Sequence, residues 1–287
     1  MPDFSRIVVT PTRGALGAEL SGLDLGDHLD DATVAEIRRA FLEHHVVFFR
    51  DQTLGPTQLA ALGARFGELE DYPFVEPLPE HPKIIAVIKE KDETVNFGGG
   101  WHTDMIYRPE PALGTMLYAL EVPDRGGDTM FADGVLAYRA LSERMQTWLA
   151  DLRVVYSVDN ATRAIRERTG GQDEAGRSMA ERTDEEVFDT TPVHPLVRTH
   201  PETGEKCLYF SRAHTVNFEG MTVAESQPML DWLQRHMTQP VFTTRFHWRP
   251  GSLAFWDNRC VSHYALNDYD GERRHMHRLT IAGDAPA

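Results

Sequence analysis

The sequence predicts a mainly β fold with flanking helices, either a β-sandwich or a jelly roll. Many short runs of β-branched and aromatic residues are separated by turns that contain Gly or Pro. Few segments between them repeat apolar residues at helical spacing, whereas a parallel sheet needs a helix between most strands. No linker divides the 287 residues, so we expect 1–287 to form a single domain.

The predicted strands are distributed along the whole chain. We place them at 7–10, 16–25, 46–49, 84–88, 114–120, 126–131, 154–158, 193–199, 206–210, 239–248, 252–256 and 276–282. Segment 46–49 consists only of Val and Phe, which indicates a buried strand. The turn sequence at 201–204, Pro-Glu-Thr-Gly, predicts that 193–199 and 206–210 form a hairpin.

Helical spacing is confined to a few segments, which we expect to buttress one face of the β structure. They lie at 31–45, 57–66, 135–150 and 222–238. Segment 68–100 is interrupted by prolines and ends in three glycines, which predicts a flexible entrance loop, with a plain surface loop as the alternative. Segment 160–190 is charged and poor in apolar residues, which predicts a long, partly helical insertion.

The composition excludes several classes of function. The formal net charge is −15 and no run of Lys or Arg occurs, so we expect neither nucleic acid nor an anionic membrane as a partner. Two cysteines in a chain of this length do not make a disulfide framework, and the first residues lack a secretory pattern. We therefore predict a cytoplasmic protein. An anionic small substrate would need a locally basic pocket.

The most specific chemical signal is the sequence Trp-His-Thr-Asp at 101–104. On an extended segment, His102 and Asp104 point to the same face. A third ligand is available far along the chain at His263, which follows the strand at 252–256. Two imidazoles and one carboxylate on one side of a metal leave the opposite side open, as in the facial triad of non-haem Fe(II) oxygenases.

Two other functions compete with an oxygenase at this point. A zinc hydrolase could use the same three ligands, but it would need one open coordination position and no second anion pocket. A non-catalytic jelly-roll binding protein would not need the three ligands and Arg274 together. His102 and Asp104 could also be a solvated pair at the end of a strand.

Two arginines near the end of the chain could supply the anion pocket. Arg274 and Arg278 are four residues apart on the last predicted strand, so both side chains point to one face. Buried guanidinium groups require anions. One arginine would fit a dicarboxylate co-substrate and the other an anionic group of the primary substrate. The alternative is that both are surface cations paired with Asp268, Asp270 or Glu272.

These motifs together resemble the taurine dioxygenase / 2,4-dichlorophenoxyacetate dioxygenase family of Fe(II)- and 2-oxoglutarate-dependent oxygenases. The matching stretches run in the order of the family and cover nearly the whole chain. They lie at 16–25, 46–52, 101–104, 126–129, 194–200, 256–263 and 274–284. The resemblance implies a double-stranded β-helix (jelly roll) and a dioxygenase that converts 2-oxoglutarate and O2 to succinate and CO2 while hydroxylating a substrate.

The resemblance also implies roles for individual residues. It makes His102, Asp104 and His263 the Fe(II) ligands and Arg274 the partner of the distal carboxylate of 2-oxoglutarate. Thr129 looks like the hydrogen-bonding companion of that arginine. Arg278 corresponds to the arginine that binds the sulfonate in taurine enzymes. Members of the family often self-associate, so a homo-oligomer is expected.

The chain departs from the taurine enzymes where they bind the amine of their substrate. Tyr72 and Val75 stand where those enzymes have a His and a Tyr, and Gly98 stands at the position of a polar Asn. His214 replaces a Phe and is similar to the phenoxyacetate-cleaving branch, although a histidine without a ligand role is the alternative. Met105 is a candidate for a further wall of the substrate cavity, with a plain core residue as the alternative. We expect a small anionic substrate with a bulkier or more apolar body: a sulfonate, sulfate ester or aryloxyalkanoate.

Overall fold

A computed structural model of the chain describes residues 4–158, 179 and 190–287. The strands are β1 (Val8–Pro11), β2 (Ala18–Ser21), β3 (Val46–Phe49), β4 (Leu69–Glu70), β5 (Pro77–Leu78), β6 (His81–Lys89), β7 (Gly114–Glu121), β8 (Thr129–Asp133), β9 (Arg153–Tyr156), β10 (Val193–Pro195), β11 (Val197–Thr199), β12 (Lys206–Leu208), β13 (Thr215–Phe218), β14 (Thr243–Phe246), β15 (Leu253–Asp257), β16 (Val261–Ala265) and β17 (Arg274–Ile281). The helices are α1 (Asp31–His44), α2 (Pro56–Gly63), α3 (Gly134–Arg139), α4 (Glu143–Leu149) and α5 (Val223–Met237). Apart from its described residues 179 and 190, the predicted insertion at 160–190 lies outside the described residues.

Two sheets form the body that carries the site. In the described part of the chain, the main sheet has the order β1-β2-β3-β15-β7-β17-β6-β5, with β4 paired to β17. The second sheet has the order β14-β8-β16. β2 and β3 pair in parallel, whereas β3, β15, β7 and β17 pair in antiparallel fashion along the middle of the main sheet. The two sheets pack against each other, so the predicted mainly β, jelly-roll fold is confirmed.

Strand β3 shows why the core runs on both sides of the main sheet. Val46 and Phe48 belong to the apolar cluster between the sheets, where the ring of Phe48 stacks on Phe246 of β14 at 4.0 Å. Val47 and Phe49 belong to the cluster under the helices. A strand buried on both faces has apolar residues at every position instead of every second one.

The first two helices cover the outer face of the main sheet. The side chain of Asp30 caps α1 by accepting a hydrogen bond from the backbone N–H of Thr33 at 2.8 Å. His45 ends the helix in a left-handed conformation with φ 63°. Val34 and Phe41 then pack on the sheet, where the ring of Phe41 stacks on Phe255 at 4.1 Å. The predicted helix at 31–45 is therefore confirmed.

Some predicted elements are divided in the structure. The single helix expected at 135–150 is wrong: α3 ends and α4 begins anew, because the hydroxyl of Ser142 accepts from the backbone N–H of Met145 and caps a second helix. The single strand expected at 193–199 is also divided. The backbone of Leu196 donates to Leu152 and accepts from Tyr209, so the chain changes partners from β9 to β12.

The expected strand at 239–248 begins instead as a 3-10 turn at Pro240–Phe242, since proline favours a turn and supplies no N–H to a ladder. Strands β13 and β16 were missed by the sequence reading. Strand β16 includes the last residues of the distal histidine motif and pairs with β8. It carries His263, so this missed strand positions the candidate site.

Segment 68–100 contains β4, β5 and β6, and the strand expected at 84–88 is confirmed within β6. The flexibility of the remaining loop stays a prediction. Among the described residues, no helix combines the length and the apolar character that a membrane span requires.

Candidate metal and co-substrate site

Three ligand-type side chains converge beside the middle of β16, where His263 lies. His102 and His263 form a two-residue bridge, with backbone N–H to carbonyl distances of 3.0 and 2.8 Å. This pairing brings Nε2 of His102 to 3.7 Å and Nε2 of His263 to 3.8 Å from Oδ1 of Asp104. We call His102, Asp104 and His263 the ligand triad. The structure thus brings together the three residues proposed from sequence.

The hydrogen bonds of His102 define which nitrogen is available. Nδ1 of His102 lies 2.7 Å from the carbonyl oxygen of Gly100, which can only accept, so Nδ1 carries the proton. The lone pair is then on Nε2, which faces Asp104. Burial lowers the pKa of His102 and also holds the pKa of His263 well below its usual value. Both imidazoles are therefore neutral near pH 7, the state in which they bind a metal.

The carboxylate of the triad is held in its charged form. Burial alone would raise the pKa of Asp104, but the charge of Arg278 and the hydrogen bond from the Thr115 hydroxyl help to keep the pKa below its ordinary range. Nη2 of Arg278 lies 2.9 Å from Oδ1, and the hydroxyl of Thr115 donates to Oδ2 at 2.7 Å. Two neutral imidazoles and one carboxylate fit a divalent metal such as Fe(II).

A second predicted subsite has a buried cation that forms no ion pair with any described residue. Arg274 is 5 % exposed, and its Nε and Nη2 atoms have no hydrogen-bond partner among the described residues. An unpaired buried guanidinium is costly. Burial lowers the pKa of Arg274, but a guanidinium stays protonated at any pH at which proteins function. The orphaned nitrogens therefore fit the distal carboxylate of 2-oxoglutarate.

Thr129 and Trp248 border the same subsite. The indole N–H of Trp248 donates to Oγ1 of Thr129 at 3.0 Å, and its ring lies 5.7 Å from the guanidinium carbon of Arg274. Because Oγ1 already accepts from Trp248, the hydroxyl proton of Thr129 can be donated to a carboxylate. Thr129 and Arg274 line one cavity together with the ligand triad.

Arg278 also lines this cavity. Its guanidinium carbon lies 4.6 Å from the centre of the Tyr72 ring and 5.8 Å from that of Phe97. Nη1 of Arg278 is buried without a hydrogen-bond partner in the described part of the chain. Within the described part of the chain, neither arginine forms an ion pair with Asp268, Asp270 or Glu272, so that alternative is wrong.

Gly98 and Met105 shape the chain around the triad. Gly98 has φ +75°, and a Cβ atom at this position would lie 3.2 Å from Cε1 of His102. A side chain here would therefore strain the backbone and crowd the imidazole of His102. Met105 follows Asp104 directly and has φ 57°, so the backbone turns immediately after the carboxylate. Its sulfur accepts a hydrogen bond from the Tyr107 hydroxyl at 3.2 Å.

His214 lies near the triad, whereas Val75 lies in the apolar core. The ring of His214 lies 5.1 Å from that of Tyr107, and its Nδ1 lies 3.0 Å from the Ser211 hydroxyl. Burial, with a contribution from His102, lowers the pKa of His214 to about 3, so it is neutral near the triad. Val75 belongs to the apolar core between the sheets. The substrate roles of both residues stay predictions.

The sequence did not lead us to predict the residues whose hydrogen bonds support the triad. Thr115, Trp256 and Asn258 form a buried hydrogen-bonded chain that ends on Asp104. Trp248 likewise supports Thr129 through the hydrogen bond from its indole N–H. One signal was present: a polar Asn directly after the apolar strand β15 would be costly to bury without a defined partner.

The chain is similar to a family of dioxygenases. The sequence model described as "Taurine catabolism dioxygenase TauD, TfdA family" matches residues 9–280. The alpha-ketoglutarate-dependent sulfate ester dioxygenase of Pseudomonas putida is 32 % identical, over 99 % of this chain and 92 % of that protein. The alpha-ketoglutarate-dependent 2,4-dichlorophenoxyacetate dioxygenase of Cupriavidus pinatubonensis is 33 % identical, over 97 % of this chain and 99 % of that protein.

A solved structure shows the same fold. The crystal structure of a taurine dioxygenase from Burkholderia xenovorans superposes with a TM-score of 0.81 at 35 % identity and covers 99 % of this chain and 91 % of that one. The family model, the two relatives and this solved structure are all named as dioxygenases, so they do not support the hydrolase alternative.

Proposed function

The chain belongs to the taurine catabolism dioxygenase TauD, TfdA family, and from that premise we propose that it hydroxylates a small organic anion with an apolar body. The reaction class follows from the family: the protein is a 2-oxoglutarate-dependent non-haem iron dioxygenase. The substrate and the residue roles are the proposal.

The proposed roles follow from the unpaired atoms of the site. His102, Asp104 and His263 would hold Fe(II), and Arg274 with Thr129 would hold the distal carboxylate of 2-oxoglutarate. When bound, Fe(II) with 2-oxoglutarate and O2 supplies the oxidation, in which 2-oxoglutarate becomes succinate and CO2 and a substrate C–H bond becomes C–OH. The side chains position the reactants and exclude water.

The substrate proposal depends on one donor of Arg278 that has no described hydrogen-bond partner. Its buried Nη1 has no partner among the described residues, although Nη2 faces Asp104 at 2.9 Å. The guanidinium therefore keeps a donor for an anionic group that enters the cavity. Val87, Phe97 and Leu117 line the same cavity and can contact the apolar body of the substrate. Tyr72 packs against Arg278, and Val75, Gly98, Met105 and His214 complete the proposed surroundings.

A substrate screen tests the proposal directly. The enzyme with Fe(II), 2-oxoglutarate and O2 is offered alkyl sulfonates, alkyl sulfates and aryloxyalkanoates, and substrate-dependent succinate is measured with sulfite, sulfate or phenol. We expect at least one class to release its leaving group in step with succinate. Uncharged analogues of equal size serve as controls, and their equal turnover would refute an anion site at Arg278.

A spectroscopic experiment tests the metal and co-substrate sites without turnover. Anaerobic Fe(II) and 2-oxoglutarate should give a weak metal-to-ligand charge-transfer band, which should be lost in Asp104→Ala. Zinc retention together with no response to 2-oxoglutarate would favour a hydrolase instead.

The proposal also covers the location of the protein, its domain organisation and its oligomeric state. We propose a cytoplasmic location, consistent with Cys207 and Cys260, which are both buried and free. We propose that residues 1–287 act as one domain, which the family match over 9–280 supports. A homo-oligomer is also proposed and is checked by light scattering on the purified full chain.

A further inference from the structure

A chain of buried hydrogen bonds runs from the β15–β16 turn to Asp104. The indole N–H of Trp256 donates to Oδ1 of Asn258 at 3.0 Å, and Nδ2 of Asn258 donates to Oγ1 of Thr115 at 2.9 Å. The hydroxyl of Thr115 then donates to Oδ2 of Asp104 at 2.7 Å. Asn258 and Thr115 are fully buried, and Trp256 is 2 % exposed. Water therefore does not compete for these groups.

The direction of every proton in this chain is determined by chemistry. An indole N–H can only donate, so the oxygen of the Asn258 amide must face Trp256 and its NH2 group must face Thr115. Because Oγ1 of Thr115 accepts from that NH2 group, its own proton is directed to Asp104. The backbone N–H of Asp104 also approaches Oδ1 of Asn258 at 3.4 Å. One amide thus contacts Asp104 directly and through Thr115.

The two oxygens of Asp104 consequently have different surroundings. Oδ2 accepts from Thr115, whereas Oδ1 lies 3.7 and 3.8 Å from the imidazole nitrogens of His102 and His263 and 2.9 Å from Nη2 of Arg278. We propose that Asn258, acting through Thr115, is a positioning residue that makes Asp104 offer a metal only Oδ1. This inference rests on the proposed ligand roles of the triad.

The proposed restriction matters because the reaction needs open coordination positions. A carboxylate that bound through both oxygens would take a position needed by 2-oxoglutarate or O2, whereas a facial triad leaves three positions free. A hydrogen bond to Oδ2 competes with that second bond. Trp256 also packs on the other end of the triad, with its ring 4.7 Å from that of His263. The same indole therefore supports two of the three ligands.

The test compares Thr115→Val, which keeps the shape and removes the hydroxyl, with Thr115→Ser, which keeps the hydroxyl. Binding of Co(II) and Fe(II) is titrated in the full-length protein, and the Co(II) absorption spectrum reports the coordination. We expect the metal Kd to rise 10- to 100-fold in Thr115→Val, with a changed Co(II) spectrum and more succinate per hydroxylated product. Thr115→Ser should stay within about threefold of the wild type.

Other outcomes are equally informative. Equal metal Kd values and equal Co(II) spectra in the wild type and Thr115→Val would overturn the inference, even if the variant melted at a lower temperature. Should Thr115→Val fail to fold, Asn258→Ala leaves the hydroxyl in place but frees its proton to rotate, and an unchanged Co(II) spectrum there would overturn it too. If His263→Ala binds metal as the wild type does, the proposed triad is wrong instead.

Discussion

Two buried groups of histidine and carboxylate lie at opposite ends of the β15–β16 turn, and only one of them is left unsatisfied. The ligand triad lies at one end. At the other, His200, Asp257 and Arg259 form what we call the inner polar cluster, with His45 and Asp133 beside it. Both the triad and the grouping of His200, Asp257 and Cys260 bring potential ligand atoms within 4.8 Å of one another. Residue types and spacing alone do not separate them.

The inner polar cluster satisfies its own donors and acceptors. Nε2 of His200 lies 3.0 Å from Oδ2 of Asp257, and Nδ1 of His200 accepts from the backbone N–H groups of Glu202 and Thr203. Arg259 donates to both oxygens of Asp257, at 2.8 and 2.6 Å. No lone pair of His200 is left for a metal, and the guanidinium would repel one. This group stabilises the fold.

The triad has the opposite character. Its imidazole nitrogens face the carboxylate of Asp104 at distances too long for hydrogen bonds, and Arg274 nearby has no acceptor among the described residues. Folding has therefore brought together groups that water would otherwise satisfy. A binding site therefore differs from a structural cluster in having lone pairs and donors without hydrogen-bond partners. The residue types alone do not make this distinction.

The largest difference should appear on removing one histidine from the triad. His263→Ala should lower kcat/KM by about 1,000-fold, equivalent to ~4 kcal/mol, because a proposed metal ligand is lost. Its free energy of unfolding should fall less than that of His200→Ala, since no described side chain loses a hydrogen-bond partner. Steady-state kinetics and urea unfolding measure the two quantities. Retained metal binding would remove His263 from the triad.

The matched change in the inner polar cluster should affect stability. His200→Ala removes a donor from Asp257 and leaves two backbone N–H groups without their acceptor, so the free energy of unfolding should fall by about 3 kcal/mol. The folded fraction should bind Co(II) with the affinity of the wild type. A loss of metal affinity with normal stability would contradict the structural role of this cluster.

The two arginines offer a smaller and more specific comparison. Arg274→Met should raise the Kd of 2-oxoglutarate by roughly 10- to 100-fold, the value of a charge-assisted pair, with little loss of stability because no partner is left behind. Arg259→Met should instead lower the free energy of unfolding and leave the Kd of 2-oxoglutarate nearly unchanged, since it leaves Asp257 buried without its cation. The charge-transfer band gives the Kd, and urea unfolding gives the stability. Arg274→Lys should retain part of the affinity.

The smallest effect concerns pH. Although burial lowers the pKa of His45, the hydrogen bond to Asp133 and the nearby carboxylates outweigh it and raise the net pKa above 6.5. The folded state then binds the proton more tightly than the unfolded one. Its contribution to stability is present below pH 6.5 and is lost as the pH rises through the raised pKa.

The variant His45→Asn removes the titration, and Asn tolerates the left-handed conformation at this position. The difference in free energy of unfolding between wild type and variant should be largest near pH 6 and should shrink toward alkaline pH. A difference that grows with pH would mean that His45 is buried as the neutral form.

Sequence reasoning was most successful where local pattern and chemistry agree. The Val and Phe residues of β3 predict a buried strand from composition alone. It failed where a single hydrogen bond redirects the chain, as at Ser142 between α3 and α4 and at Leu196 between β10 and β11. Such bonds depend on partners that local spacing does not reveal.

The candidate site also contains residues that local pattern predicts and residues that it does not. His102 and Asp104 are predicted because two residues on an extended segment share a face, and the paired arginines follow the same rule. Thr115 and Asn258 could not be predicted to meet, because they are 143 residues apart in the chain. Only the alignment of β7 beside β15 brings them together.

The sequence by itself determined the ligand types, their spacing and the strands that carry them, since these depend on covalent order and on the alternation of side chains along a strand. The tertiary structure alone decided which buried groups remain unpaired. That decision depends on distant partners: Arg259 is neutralised by Asp257, whereas Arg274 meets no acid among the described residues. Chemistry at the triad is possible because folding satisfied the inner polar cluster and left the triad unsatisfied.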